Sequence, residues 1–291
     1  MHRKIHSRED IIVDSLACLI GLIFLLLTGI PFLHVLSKAF SSETALIANR
    51  VTIIPSGFQT GTIRHVLTSP MFIHSFLHSV LVTVSGTLLS VIVTAMAGYA
   101  LSKRNLPWMK AITVIFVFTM WFNGGMVPRY LLMSQLQLTN TFWALILPAA
   151  ISVYNLLLVK NYCETIPSSL EESAWIDGAG QARTLFTIVI PLSYPVLATI
   201  TLFMAVSLWN DYYNPMIYIT RSSMKTLQVY LRDIIVESQS DTTMISTDDI
   251  NLLPEGIRAA SIIASTVPIL LIYPFLQKYL IKGIMIGAVK G

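Results

Sequence analysis

Reading the chain for long apolar runs gives six of them, at roughly 11 to 37, 71 to 101, 109 to 133, 139 to 162, 189 to 219 and 257 to 281. Each reaches the ~20 residues that a helix needs to cross a hydrocarbon core about 30 Å thick. In lipid every backbone N–H and C=O must find its partner within the protein, so only helices and closed barrels can span. A barrel is written as short segments of alternating polarity, and none occur here. The pattern predicts an all-α integral membrane protein with six transmembrane helices.

The segments between these runs differ in kind. Residues 38 to 70 contain Pro55, Gly57 and Gly61 and read as an ordered, irregular loop. Residues 222 to 253 begin with Leu227, Tyr230, Leu231, Ile234 and Ile235, spaced as one apolar face of a short helix, and continue into a polar tract from Glu237 to Asp249. Loops of that length are functional or disordered, and both readings stand. Between the fourth and fifth runs, Pro167 with Ser168 or Ser169 as cap, and Glu171 and Glu172 in the first turn, start a helix. Gly178 and Gly180 end it after about two turns. A second piece, Gln181 to Thr187, leads into the membrane at Pro191. A helix this short is unstable alone. It either docks on another protein or lies as a linker on the lipid surface.

Composition agrees with a membrane chain. Of 291 residues, 54% are hydrophobic and 12% charged, against roughly a quarter charged in soluble domains. The net charge of +4 and pI of about 9.0 come without the basic, aromatic-interleaved stripe of a nucleic-acid groove, so no nucleic-acid partner is expected. Arg3, Lys4 and Arg8, then Lys103, Arg104 and Lys110, then Lys278, Lys282 and Lys290 all fall on one side of a six-span chain. This predicts cytoplasmic termini, although Lys38, Arg50, Arg64, Arg129, Arg221, Lys225 and Arg232 dilute the bias. The basic start, Met1 to Asp10, precedes an apolar run too long for a signal peptide and without a small-residue cleavage site, so an uncleaved first span is expected. Cys18 and Cys163 are far apart and form no CxxC pair; no disulfide is expected.

Polar groups inside spans are costly in lipid and mark cavities or neighbours. The fifth span holds Trp209, Asn210, Asp211, Tyr212, Tyr213 and Asn214. On one continuous helix Trp209, Tyr212 and Tyr213 would share a face, with Asn210 and Asn214 on the next. An aromatic plate beside amides suits a sugar ring; interhelical packing plus an interfacial aromatic belt is the other reading. Trp121 and Asn123 in the third span, and Tyr154 and Asn155 in the fourth, are further substrate-path candidates with the same alternative. His74 and His78 stand four apart, with His65 as the one conceivable third ligand, and no metal site is expected. Gly283, Gly287 and Gly291 have GxxxG spacing but lie past the last span, in a tail. The chain has no GxxxxGK[ST], GxSxG or HExxH motif, and only Asp211 sits well inside a span, so no enzymatic activity is expected. A secondary transporter would show inverted repeats, and no repeat is visible.

Glu172, Ser173 and Ala174, then Gly178, then Ile188, Ile190 and Pro191 resemble the EAA loop of ABC-importer permeases at the family's own intervals, with Ser173 for alanine and Ile190 for leucine. Trp209-Asn210-Asp211 and the tail from Lys282 to Gly291 resemble the maltose-type carbohydrate-uptake class. The runs Asn123 to Pro128, Leu227 to Arg232 and Tyr273 to Tyr279 are most similar to permeases for oligosaccharides from plant or acidic polysaccharides. The resemblance implies a type I ABC importer permease fold in a prokaryotic cytoplasmic (inner) membrane, organised as one permease domain over 1–291. Residues 1–70 would be the first span and outer loop, 71–283 the core spans with a cytoplasmic coupling helix at 166–187, 222–253 an outer insertion, and 284–291 a cytoplasmic tail. It implies ATPase coupling through Glu171, Glu172, Ser173, Ala174, Asp177, Gly178, Ile188 and Pro191. The implied partners are a second homologous permease, two ATPase subunits carrying ATP and Mg, an extracytoplasmic solute-binding protein, membrane lipid and an oligosaccharide substrate, with no cofactor in this chain. A permease for a non-sugar solute and an ATP-independent transporter remain as alternatives.

Overall fold

The computed structural model describes residues 8–103, 106–122, 124–240 and 254–288, and among them the regular structure is entirely helical. In chain order the helices are α1 (Arg8–Ala39), α2 (Glu43–Ile47), α3 (Gly61–Thr68), α4 (Pro70–Ser102), α5 (Met109–Trp121), α6 (Met126–Gln135), α7 (Trp143–Ile146) and α8 (Val153–Cys163). They continue with α9 (Ser168–Ile176), α10 (Gln181–Thr184), α11 (Ile190–Leu192), α12 (Tyr194–Asn210), α13 (Tyr213–Tyr218), α14 (Leu227–Ser240) and α15 (Pro254–Ala288). Two compact units result, one from Met1–Ser69 with Asp233–Val267, the other from Pro70–Arg232 with Pro268–Gly291.

The second unit is organised by α4. Its buried positions include Ser75, Ser79, Val82, Gly86, Ser90, Thr94 and Gly98, which step by three or four residues along one face and are nearly all small. The opposite face carries Leu77, Leu81, Val84, Leu88 and Ile92, all exposed. Lipid tails are as apolar as leucine, so helices associate in a bilayer through close packing, which small residues permit. α8 and α12 use that face. A methyl placed on Gly98 would lie 2.7 Å from Val159 Cγ1 and 3.2 Å from the Lys160 backbone nitrogen, and one on Gly86 would lie 2.8 Å from Leu208 Cδ1. Tyr99, Val159, Cys163, Leu185, Val189, Val196 and Ile200 close into one core between these helices.

Three of the expected spans are broken where an apolar profile shows continuity. The third stops at Trp121 and restarts at Met126, after Gly125 at φ +86°. Pro128 sits in the first turn of α6, where no helical hydrogen bond is lost. The fourth is cut between α7 and α8, because Pro148 cannot donate to the preceding turn; the Ser152 side chain then accepts from Asn155 N to cap α8. The fifth ends at Asn210 and resumes as α13, with Pro215 in its first turn. The segment Gln181–Leu192, with a π-helical turn at Leu185–Val189, meets α12 at an angle of 81°. Among the described residues Ile12–Ala39 and Pro70–Ser102 are the unbroken helices that length and composition qualify to cross a membrane.

In the first unit, the irregular segment after α1 is tied to it by specific hydrogen bonds. His34 Nδ1 lies 2.7 Å from the Thr52 carbonyl, and the Ser37 hydroxyl donates to that of Ile53. Phe40 and Phe58 stack at 5.6 Å, and Lys38 pairs with Glu255 at the start of α15. The expected irregular loop is therefore ordered, and it carries α2 and α3. The amphipathic helix expected from Leu227 is α14, which buries Leu227, Val229 and Tyr230. Most of the polar tract that follows, and the end of the tail, lie outside the described residues.

Replacing Gly98 by alanine is expected to cost about 1–3 kcal/mol by overpacking against Val159 and the α8 backbone. Gly180→Ala, at φ −76° with no atom within 4 Å of the added methyl, should change stability by less than about 0.5 kcal/mol. Thermal unfolding of both purified variants in detergent compares them; equal midpoints would contradict the packing account.

Candidate functional site

The segment that follows α8 builds a small platform around α9. Contrary to the expected serine cap, no side chain caps α9, whose flanking residue is Pro167; the Ser173 hydroxyl donates instead to the Ser169 carbonyl at 2.7 Å. The other end is closed as the glycine spacing predicts. Gly178 adopts φ +81°, Gly178 N donates to Trp175 O at 3.0 Å and Ala179 N to Ala174 O at 2.8 Å, the paired hydrogen bonds of a Schellman stop.

One acid of the pair in the first turn faces inward. Glu171 is 6% exposed, accepts a charged hydrogen bond from Lys103 just past the end of α4, and lies 3.2 Å from the Tyr99 hydroxyl, which is also 3.2 Å from Gln181 Oε1. The Lys103 ammonium sits 4.3 Å from the centre of the Tyr99 ring and 6.0 Å from that of Trp175. Desolvating a carboxylate costs several kcal/mol unless a counter-charge and further donors meet it, and this cluster supplies both. Glu171 thus anchors α9 to α4. Glu172, Ser173, Asp177 and Gly178 are exposed, Ala174 and Ile188 half-buried, and Pro191 exposed. Beside them Leu170, Phe186 and above all Ile176, at 87% exposure, present apolar surface. A cavity of about 930 Å³ between α4, α9 and the segment from Gln181 is lined by Lys103, Glu171, Trp175 and Phe186. Lys103 and Tyr99 had no place in the sequence reading as site residues; the signal available was an acid in a short helix that needs a cation once buried.

The substrate-path residues fall into separate groups, because the helix that was to align them stops at Asn210. Asn210 Nδ2 donates back to Val206 O at 2.9 Å. Asp211 caps α13: one carboxylate oxygen accepts from the backbone of Tyr213 at 3.1 Å and Asn214 at 3.2 Å, the other from Asn214 Nδ2 at 2.7 Å. Trp209 turns edge-on to Phe76 at 5.9 Å, and its indole N–H is buried with no acceptor among the described residues. Tyr212 and Tyr213 are exposed with rings 6.5 Å apart, so the expected face shared with Trp209 does not form. Tyr213 and Asn214 line a cavity of about 180 Å³ with Gly125, Met126, Arg129, Ile217 and Tyr218. Tyr154 and Asn155 line another of about 550 Å³ with Pro148, Phe203 and Ser207; Asn155 is buried and Tyr154 exposed. Trp121 is largely exposed, and Asn123 lies outside the described residues. His78 packs edge-on to Phe142 at 6.3 Å, and no group of three metal-binding side chains occurs among the described residues.

Comparison with known proteins gives a consistent answer. The family model described as binding-protein-dependent transport system inner membrane component matches residues 15–286. The polygalacturonan/rhamnogalacturonan transport system permease protein YtcP of Bacillus subtilis (strain 168) is 40% identical over 272 residues, covering 93% of this chain and 95% of the relative. Protein LplC of the same organism is 40% identical over 266 residues, 91% of this chain and 90% of the relative. Among solved structures, a chain of a bacterial ABC transporter involved in the import of the acidic polysaccharide alginate superposes with a TM-score of 0.87 at 32% identity, covering 95% of this chain and 99% of that one.

Neutralising one partner of the anchor, by Glu171→Gln or Lys103→Met, is expected to cost about 1–3 kcal/mol, since the other keeps its charge in a shielded position without its counter-charge. Replacing both at once should cost less than the sum of the single losses. A double-mutant cycle in thermal unfolding tests this; strictly additive losses would rule out a direct pair.

Proposed function

Because the chain belongs to the family of binding-protein-dependent transport system inner membrane components, we propose that it is the permease subunit of an ABC importer for oligosaccharides, with α9 as the element that receives work from an ATPase. The observation that carries the coupling role is the two-sidedness of α9. Its Glu171 is held inward by Lys103 and Tyr99, while Glu172, Ile176 and the Gly178 stop face outward. A helix pinned on one side by a shielded ion pair and bare on the other can be pushed without unfolding, and the displacement passes directly into α4.

The importer would work by rigid-body switching between two packings of its spans. Two ATPase subunits would bind ATP and Mg and draw together the coupling segments, 166–187 here, of this chain and a homologous second permease. The six membrane crossings, with both termini cytoplasmic, would follow the single-domain layout over 1–291, with 71–283 as core and 284–291 as tail; crossings three to five would be made of broken helices. Irregular backbone at membrane depth is tolerated where it lines a cavity, so these breaks would border the path of the solute, with Tyr154, Asn155, Tyr213 and Asn214 as its lining. A sugar is favoured as solute by the printed roles of YtcP and of the alginate importer and by the aromatic and amide groups at the cavities. The outer insertion at 222–253 would meet the extracytoplasmic solute-binding protein.

Glu172→Lys and Gly178→Asp are expected to abolish ATP-driven uptake in proteoliposomes carrying the assembled importer, while membrane insertion persists. The second variant also forces a β-carbon into a left-handed conformation at a cost of about 1–2 kcal/mol. Full uptake by either would remove α9 from the coupling path. Deleting 241–253 is expected to weaken stimulation of the ATPase by the binding protein; undiminished stimulation would reject that contact.

A further inference from the structure

The break between α5 and α6 and the break between α12 and α13 open onto the same cavity of about 180 Å³, and one cation lines it: Arg129. Arg129 is exposed, and among the described residues no carboxylate lies within ion-pair distance of it. Asp211, in the neighbouring break, caps α13 and keeps its charge, but it is not within ion-pair distance of Arg129. The same cavity is lined by Tyr213, which is exposed, and by Tyr218, whose ring stacks on that of Tyr130 within 6° of parallel at 6.4 Å. An exposed guanidinium that no described carboxylate pairs is open to water and to an anionic ligand.

The ligand chemistry follows from the group. A guanidinium offers a planar fork of donors that fits a carboxylate with two parallel hydrogen bonds, and it stays charged at any physiological pH. Aromatic faces beside it suit the apolar face of a pyranose. We propose that Arg129 is a specificity-determining residue that takes the carboxylate of a uronic-acid oligosaccharide in this cavity, so that the permease itself, and not only its binding protein, selects acidic sugars. This rests on the reading of the chain as an oligosaccharide importer and adds the residue of the permease that reads the charge of the substrate.

The test uses the complete importer in proteoliposomes with its binding protein, and a panel of uronic-acid trisaccharides each matched to its neutral methyl ester. The permease variants leave the binding protein untouched, so a change in the ratio of acid to ester uptake reports on the permease. Arg129→Gln is expected to raise KM for the acid about tenfold or more while leaving uptake of the ester within about twofold, and Arg129→Lys, which keeps the charge without the fork, should fall between. An equal loss on acid and ester would mean a structural role or a contact with the binding protein and would overturn the proposal, as would an unchanged ratio. If the unmodified importer takes up neutral oligosaccharides but no uronate, the proposal fails and the importer reading stands; if it takes up no sugar with ATP, both fail.

Discussion

Close approach of helices through small side chains is the constraint from which the rest of this molecule follows. In lipid, burying leucine against leucine gains little over leaving it against acyl chains, so α4 must hold its neighbours by contact. Gly86 and Gly98 allow α12 and α8 to come so near that a single methyl would strike Leu208 or Val159. The broad leucine and valine face of α4 is left outward. The core of Tyr99, Val159, Val189 and Ile200 is a product of that approach, and it extends from the helix pair into the turn at Leu185–Val189.

The same helix that organises the packing also ends at the polar anchor. Tyr99 belongs to the core cluster through its ring and to the Glu171 cluster through its hydroxyl, and Lys103 follows one turn later. Packing and electrostatics therefore meet at one end of α4. The link from α9 to this end of α4 is the buried Glu171 carboxylate, held by Lys103 and the Tyr99 hydroxyl.

Helix class, membrane character and the start and stop of the segment around α9 could all be read from residue pattern, because length of apolar run and glycine placement are local properties. Gly178 was legible as a stop since its left-handed backbone is a demand that few other residues meet. The interruptions near Gly125, Pro148 and Asp211 were not, because an apolar profile records side chains and is blind to whether the backbone hydrogen bonds continue. Asp211 illustrates the difference: its charge within an apolar run drew attention as a substrate contact, while its oxygens are occupied by the amides of the next helix. The inward turn of Glu171 was hidden for another reason. Glu171 and Glu172 are adjacent in sequence, and which one meets Lys103 depends on a long-range rotation of α9.

The π-helical turn at Leu185–Val189 has a consequence for how the chain tolerates changes in length. A turn of this kind holds one residue more than the α repeat needs, so it separates the count of residues from the direction in which later side chains point. Removing a single residue there would restore the ordinary repeat and leave α12 facing as it does, whereas the same deletion inside α4 would rotate every downstream position by about 100°. The approach to α12 is thus a stretch where the count of residues and their facing are uncoupled.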